Sequence, residues 1–336
     1  MSPRLLRAGA RGSVALLPAE PGVYRFRDAA GGILYIGRAV DLRRRVGSYW
    51  SNLGTRKRLG RMVERIEAVE VVVCDSDHEA AWLERNLLER TLPRWNRTRG
   101  GQESPAFLRL DLAENSSGVS LVHMFVQVRG VVQVRGVVQV RGVAEAGGAA
   151  EAGGARDFGP YLGGTQARLA VSALNRVYPI GFTSVRLRGA ERDMAQARGV
   201  VPADRDLLVQ KVIAVLERDP AAVADIQGRL AQRRDEAAGR LAFELAGRIQ
   251  AESAAISWVV AEQKVTSALE HDADVYGWAD GLLVGFGIRA GRMATWTLHA
   301  CGEPTAQDRV AGTPPMWRRF AQRNADLAVR LRQHPH

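Results

Sequence analysis

Two short triplets, Gly22-Val23-Tyr24 and Tyr35-Ile36-Gly37, lie within PGVYRFRDAAGGILYIGRAVDLRRR and restrict the local fold more than any other stretch of the chain. Val23 and Phe26 open a β-branched and aromatic run. Asp28 to Gly32 is a turn cluster, and Ile33 to Ile36 forms a second run, so the pattern predicts a β-hairpin with a tyrosine on each of two paired strands. Either triplet alone would fit an ordinary amphipathic hairpin whose tyrosines fill a core. Both together, followed at once by an arginine cluster, demand a more specific account.

That cluster begins a helix. Asp41 is a suitable N-cap for a helix from Leu42 to about Trp50. At 100° per residue Leu42, Val46 and Tyr49 form its apolar stripe, Arg45 flanks the stripe, and Arg44 lies opposite. An arginine held against a packed face presents a planar fork to a phosphate oxygen that gains charge, or else makes a structural ion pair. A second helix carrying Leu59, Met62, Val63 and Ile66 leads to Glu70–Cys74, which reads as a buried strand. In the next helix Ala80, Ala81, Leu83, Leu87 and Leu88 make an apolar arc, with Arg85, Asn86, Glu89 and Arg90 on the other side. Glu84 falls inside the arc. A carboxylate there has to be paired, protonated or bound to a metal, because an unpaired buried charge costs several kcal/mol.

The chain has 336 residues and a formal charge of +11, the electrostatic footprint of a protein that meets phosphate backbones. Only three of its 47 basic residues are lysine (Lys57, Lys211, Lys264), so part of that charge reflects a bias toward arginine. Position says more than the total: nine basic residues fall between Arg38 and Arg65 against Asp41 and Glu64. Arg43, Arg44, Arg56, Lys57, Arg58 and Arg61 are therefore the candidate DNA-binding residues. Cys74 and Cys301, far apart and without ligand spacing, argue against a disulfide framework or a zinc or iron–sulfur site. The basic start has too short an apolar run for a secretory signal, and no run of about 18 apolar residues occurs, so a cytoplasmic protein without a membrane span is expected.

LPAEPGVYRFRD and LYIGRAVDLRRRVGSYW, with ERNLLERTLPRWN downstream, resemble the GIY-YIG nucleases and specifically the amino-terminal domain of the UvrC excision-repair family. The resemblance implies a small antiparallel sheet with flanking helices. It also implies a site in which Arg45 is the catalytic arginine, Glu84 the ligand of Mg²⁺ or Mn²⁺, and Asn96 an ordering residue. Tyr24 and Tyr35 are both candidates to position or deprotonate the attacking water. Arg38 stands where the family usually has lysine, which keeps the charge and changes its geometry.

Farther on, V-Q-V-R-G-V occurs three times over Val126–Val143 and A-E-A-G-G-A twice over Ala144–Ala155. Perfect short copies read as recent duplication, giving an elongated hairpin and a Gly/Ala linker. The likeness resumes at DFGPYLGGTQARLAVSALNRVYPI, after which FTSVRLRGAERDMAQARGV lacks the cysteines many relatives carry there, so no iron–sulfur cluster is expected. GRLAFELAGRIQ is similar to the UVR helical pair that docks on a UvrB-like helicase subunit. By that likeness Leu230, Leu241, Phe243, Leu245 and Ile249 are the partner-binding candidates, the alternative being an intramolecular helical hairpin. Residues 275–300 resemble only the sheet that precedes the family's second nuclease domain, and Asp272, Asp274 and Asp280 read as turn and cap residues.

The expected organisation is α+β in four parts: a GIY-YIG domain over 15–100, a middle region over 101–202 holding the repeats of 126–155, a helical UVR-like domain over 203–265, and a β-hairpin remnant with a basic helix over 266–336. As a whole the chain reads as a shortened UvrC-like protein without the RNase H-like and helix-hairpin-helix parts, and with one nuclease site. The expected activity is metal-dependent hydrolysis of a DNA phosphodiester. The rival is a non-catalytic protein that binds DNA or a UvrB-like partner.

Overall fold

The computed structural model describes residues 12–51, 57–100, 105–113, 116, 118–127, 131–134, 150–151, 154–267 and 271–333. Most of the duplicated segment, and Arg56 with it, lies outside the described residues, as do the side chains of Lys57 and Arg58. The chain divides into two compact units, one of residues 1–102 and 262–336 and the other of residues 103–261. Of the four parts expected from sequence, 15–100 and 266–336 fall in the first unit, and 101–202 and 203–265 fall mainly in the second.

The first unit is built on a three-stranded antiparallel sheet. β1 (Gly22–Arg27) lies between β2 (Ile33–Ala39) and β3 (Ala68–Val73). The predicted hairpin is present: Tyr24 pairs with Gly37 and Phe26 with Tyr35, with an irregularity after Phe26. Asp28 sets the turn, its carboxylate accepting from the amides of Ala30 at 3.1 Å and Gly32 at 2.7 Å. Strand alternation sends Tyr24 and Phe26 to one face, where they pack with Leu42, Val46 and Tyr49 of α1 (Leu42–Ser51) and with Met62 and Val63 of α2 (Lys57–Val63). Helix α3 (Asp77–Arg90) follows β3, capped by Ser76, whose hydroxyl accepts from the Glu79 amide at 3.0 Å.

Residues 262–333 complete this unit. They form the antiparallel sheet β9 (Ala273–Ala279), β10 (Leu282–Arg289), β11 (Arg292–Ala300) and the helices α9 (Glu303–Ala311) and α10 (Pro315–Gln333). The basic terminal helix thus has a partner in its own chain. Its apolar stripe of Trp317, Phe320, Ala321 and Leu327 is buried, and Leu327 joins the core around Tyr24. Asn324 satisfies the free edge of β3, accepting from the Val73 amide at 2.7 Å and donating to its carbonyl at 3.2 Å. On the other face of this three-stranded sheet Arg25 is buried 3.7 Å under the ring of Trp296, donates to the Trp296 carbonyl at 2.8 Å and pairs with Glu70. Burial pushes its guanidinium down to about 10, against the opposing pull of Glu70.

The second unit pairs β4 (Ala106–Asp111), β5 (Val119–Gln127), β6 (Val131–Val134), β7 (Ala150–Glu151) and β8 (Ala155–Tyr161) in the order β6-β5-β4-β8-β7. Its helices are α4 (Gly164–Val177), α5 (Ala190–Ala197), α6 (Arg205–Leu216), α7 (Pro220–Gly239) and α8 (Phe243–Val260). The helical pair α7–α8 is not a separate domain. Leu230, Ile249, Ile256 and Val259 share one core with Leu174 of α4 and Leu108 of β4. Leu230 and Ile249 therefore drop out of the partner-binding set, because a helix that lends its apolar stripe to its own core cannot also offer it to a partner. Leu241, Phe243 and Leu245, at the α7–α8 turn, remain exposed at 74%, 67% and 42%.

A buried carboxylate ties this helical layer together. Glu252 of α8 accepts from Arg176 Nε at 2.6 Å and Nη2 at 2.9 Å and from Ser172 Oγ at 2.6 Å. Burial raises its pKa, but these bonds outweigh burial and hold it below the ordinary carboxylate value. The linked stability is present above the unfolded carboxylate pKa and is lost as pH falls through the depressed folded value. Arg176→Leu is expected to cost about 3 kcal/mol at pH 7 by stripping a buried charge of its main partner. It should also reverse the trend, so that the variant gains stability between pH 7 and pH 4 as Glu252 takes up a proton. Urea midpoints at the two pH values test this, and parallel losses in variant and parent would refute it.

Candidate active site

Tyr24, fully buried on β1, and Tyr49, buried on α1, bring their hydroxyls to 2.8 Å. Tyr35 on β2 packs against both of them, so the third tyrosine lies beside the two that the hairpin supplies. The rings of Tyr24 and Tyr35 lie 6.1 Å apart, and those of Tyr35 and Tyr49 6.2 Å apart. Only glycine fits beside them: a Cβ on Gly37 would come within 2.6 Å of Tyr24 Oη and 2.7 Å of the Tyr35 ring. That close approach is the physical content of the second triplet.

Burial, with Tyr49 alongside, raises the Tyr24 phenol well above its ordinary value, and it does the same to Tyr35, where Glu84 adds to the effect. Both are neutral phenols at neutral pH. Arg45 stands beside the same tyrosines, its guanidinium 5.5 Å over the Tyr49 ring. The neighbouring Tyr24 favours its protonated form most, and the Arg45 pKa is raised. Arg45 flanks the apolar stripe as expected, yet stays more than a third exposed, so the fork is open to a ligand.

Glu84 on α3 needs a correction. The apolar arc implies a buried carboxylate, whereas its side chain is 23% exposed at the mouth of the site, with Arg38 Nε 3.6 Å from Oε2. Asn86, expected on the solvent side, is buried instead. The reason is tertiary: the chain after Glu262 covers that side of α3. Asn86 Nδ2 donates to the Val265 carbonyl at 3.2 Å and to Thr266 Oγ1 at 2.9 Å, while Glu79 accepts from the Lys264 amide at 3.0 Å. The helix is packed on two sides and Glu84 faces the opening between them.

Asn96 orders the second triplet through a two-point clamp on the β2 backbone. Its Oδ1 accepts from the Ile36 amide at 3.0 Å and its Nδ2 donates to the Ile36 carbonyl at 2.8 Å. Tyr24, Tyr35 and Arg45 thus stand on one face of the hairpin, the Arg38–Glu84 pair lies across edge strand β2 from the other face, and Asn96 fixes that strand between them. The residue sequence reasoning missed is Tyr49. The signal was available: a tyrosine, with a hydroxyl to satisfy, in a stripe otherwise aliphatic. Of the candidate DNA-binding residues, Arg43 and Arg44 are exposed on α1, Arg43 Nε donating to the Leu17 carbonyl at 2.6 Å, and Arg61 is exposed on α2.

Among the described residues no three His, Cys, Asp or Glu side chains gather as a ready-made metal cage. A partly exposed Glu84 beside open solvent does suit a hard divalent cation that takes one or two carboxylates and completes its shell with water and substrate phosphate. The donor set fits Mg²⁺ or Mn²⁺.

A hairpin that presents paired tyrosines over a glycine, backed by a helix arginine and a helix glutamate, defines a domain of the GIY-YIG class. Residues 20–97 match the family model described as the UvrC-like GIY-YIG domain. The UvrABC system protein C of Trichlorobacter lovleyi is 28% identical over 90% of this chain and 48% of its own length. That of Syntrophotalea carbinolica is 30% identical over 78% and 40%, and that of Nitrosomonas europaea 47% identical over 25% and 14%. The chain therefore spans about half or less of the length of the curated relatives it matches. A crystal structure of the GIY-YIG N-terminal endonuclease domain of UvrC from Thermotoga maritima, bound to its catalytic magnesium, is 32% identical over 29% of this chain and all of that one, with a TM-score of 0.25.

Proposed function

We propose that the chain is a metal-dependent DNA endonuclease of the excision-repair type, making the cut on the 3′ side of a lesion. The observation that carries this reading is the meeting of three packed tyrosines and Arg45 with the Glu84–Arg38 pair around edge strand β2. In the reaction the water oxygen bonds to phosphorus, the bond from phosphorus to the leaving sugar oxygen breaks, and one proton of the water ends on that oxygen. Glu84 would hold the divalent cation, which when bound polarises the phosphoryl oxygen and steadies the leaving oxygen. Arg45 offers its fork to the oxygens that gain charge in the transition state. The neutral phenols of Tyr24 and Tyr35 orient the attacking water through their oxygens, and Tyr49 holds the Tyr24 hydroxyl in place and packs against Tyr35. Asn96 keeps the β2 backbone, and so Tyr35, from moving.

Arg43, Arg44 and Arg61 would meet the DNA backbone, together with Arg56, Lys57 and Arg58. Leu241, Phe243 and Leu245 form the apolar tip on which a UvrB-like helicase subunit would dock. Among the described residues no helix is long and apolar enough to cross a membrane. The test is purified protein on an end-labelled, lesion-bearing duplex, with and without a UvrB-type partner, in Mg²⁺, Mn²⁺ or EDTA. A discrete product on the 3′ side that needs the divalent ion is expected. Binding without cutting under every condition would instead establish the non-catalytic rival.

A further inference from the structure

The second unit carries arginines that the chemistry above does not use. Arg176 lies in the last turn of α4, Arg229 and Arg233 stand one turn apart on α7, and Arg198 directly follows α5. Two interactions gather them at one place. Arg233 Nη1 donates to the Arg176 carbonyl at 2.5 Å, bringing α7 to the end of α4. Arg198 lies 4.5 Å over the ring of Phe182, in the short 3₁₀ turn Ile180–Phe182 just beyond that same end.

Nearby carboxylates are already committed. Glu252 is buried against Arg176, with Arg248 at 3.5 Å, and Asp225 is held by Arg229 at 3.0 Å and by the Tyr178 hydroxyl at 3.1 Å. Arg198 and Arg233 are exposed, and among the described residues neither pairs with a carboxylate. Arg233 has a lowered pKa, first through its partial burial and then through Arg176, Arg198 and Arg229, with Glu236 opposing. Like charges are thus close enough to disfavour one another. Keeping them there stores an attraction for an anion that a structural ion pair would have used up. The stacked Arg198 also has its plane fixed, which suits a phosphate oxygen better than a freely moving ammonium would.

We propose that Arg198 and Arg233, backed by Arg229 and Arg176, form a binding surface for the phosphate backbone of duplex DNA on the second unit. The inference rests on the reading of DNA as substrate, and it adds an anchor made from none of the nuclease-domain residues. A regularly charged polyanion is the favoured ligand because the neighbouring stretch adds Arg186, Arg188 and Arg192, all exposed, in a chain of net charge +11.

The experiment is fluorescence anisotropy of the full chain on a labelled undamaged duplex, in EDTA so that no cutting occurs, over a series of salt concentrations. Arg198→Ala with Arg233→Ala should weaken binding roughly 10-fold and lower the slope of log K against log salt by about 2, because two phosphates then keep the counterions that these arginines would displace. Arg198→Lys with Arg233→Lys should keep the slope. If the alanine pair melts earlier than the parent, the glutamine pair carries the same expectation. Unchanged affinity and slope in the neutral pairs would overturn the proposal, and would do so even if metal-dependent cutting is observed, since Glu84→Ala leaves this readout untouched. Competition by polyglutamate as effective as by duplex at equal charge would assign the surface to an acidic protein and overturn it equally.

Discussion

Glu84→Ala is expected to lower incision by roughly 10³-fold or more while duplex binding stays within about twofold, because a lost metal ligand removes several kcal/mol of stabilisation that exists mainly in the transition state. The side chain is at the mouth of the site and outside the core, so truncation leaves no cavity and the fold should hold. Glu84→Gln sharpens the test. It keeps shape and hydrogen-bonding capacity and removes only the charge, so it should fail nearly as badly, and raising the Mg²⁺ concentration should recover little. Arg45→Ala belongs to the same experiment, with an expected loss of about 10²- to 10³-fold, the range for removing one preorganised donor to a developing charge. With the duplex labelled at either end, the cut should appear on the 3′ side of the lesion and disappear in Glu84→Ala. Unchanged turnover in Glu84→Ala would sink the metal-ligand assignment, and a 5′ cut persisting there would require a second active site.

The tyrosines should behave as one unit. Tyr35→Phe and Tyr24→Phe each remove a hydroxyl placed to orient water, for which a loss of about 10²- to 10⁴-fold in single-turnover rate is expected, with the rings still packed. Tyr49→Phe is predicted to fall in the same range although Tyr49 need not touch the water, because its hydroxyl holds that of Tyr24 beside the Tyr35 ring. It should also cost about 1–3 kcal/mol of stability, since the buried Tyr24 hydroxyl loses its partner. Adding Tyr49→Phe to Tyr24→Phe should then cost much less than its effect alone. Because burial raises both phenols, no phenol titration should break the rate profile between about pH 7 and 9; ionisation is expected only above the ordinary phenol value of about 10. A fully active Tyr35→Phe beside a dead Tyr24→Phe would move the water to Tyr24, and independent, additive losses would refute the bonded unit.

Much of the hairpin and its chemistry was legible in the chain because the interactions that make it are short in sequence. Asp28 bonds amides two and four residues away, Tyr24 and Gly37 meet across one turn, and the arginine that serves them begins the next helix. Asn96 is more distant, and its position rested on resemblance. The structure supplies its reason, a side-chain amide imitating a strand along Ile36. What the helix projection got wrong was α3. Its polar face is polar and still buried, because Asn86 and Glu79 bond a segment nearly 180 residues farther on. A hydrophobic projection counts carbon, and cannot tell a polar group facing water from one facing a backbone carbonyl.

The same limit explains the far end of the chain and the helical pair. Periodicity alone was enough to predict that residues 315–333 and 220–260 form amphipathic helices, since a 3.6-residue stripe is written in local order. It could not say what covers each stripe. Only the tertiary structure placed Trp317, Phe320 and Leu327 against the nuclease sheet and its neighbour, and Leu230 and Ile249 inside a shared core, leaving Leu241, Phe243 and Leu245 outside. Sequence by itself determined the hairpin and the candidate residues beside it, because their spacing is written in local order. Tertiary structure decided where the carboxylate opens, which tyrosine packs against the others and which apolar faces are free, because burial belongs to pairs of segments and a single segment holds half of each pair.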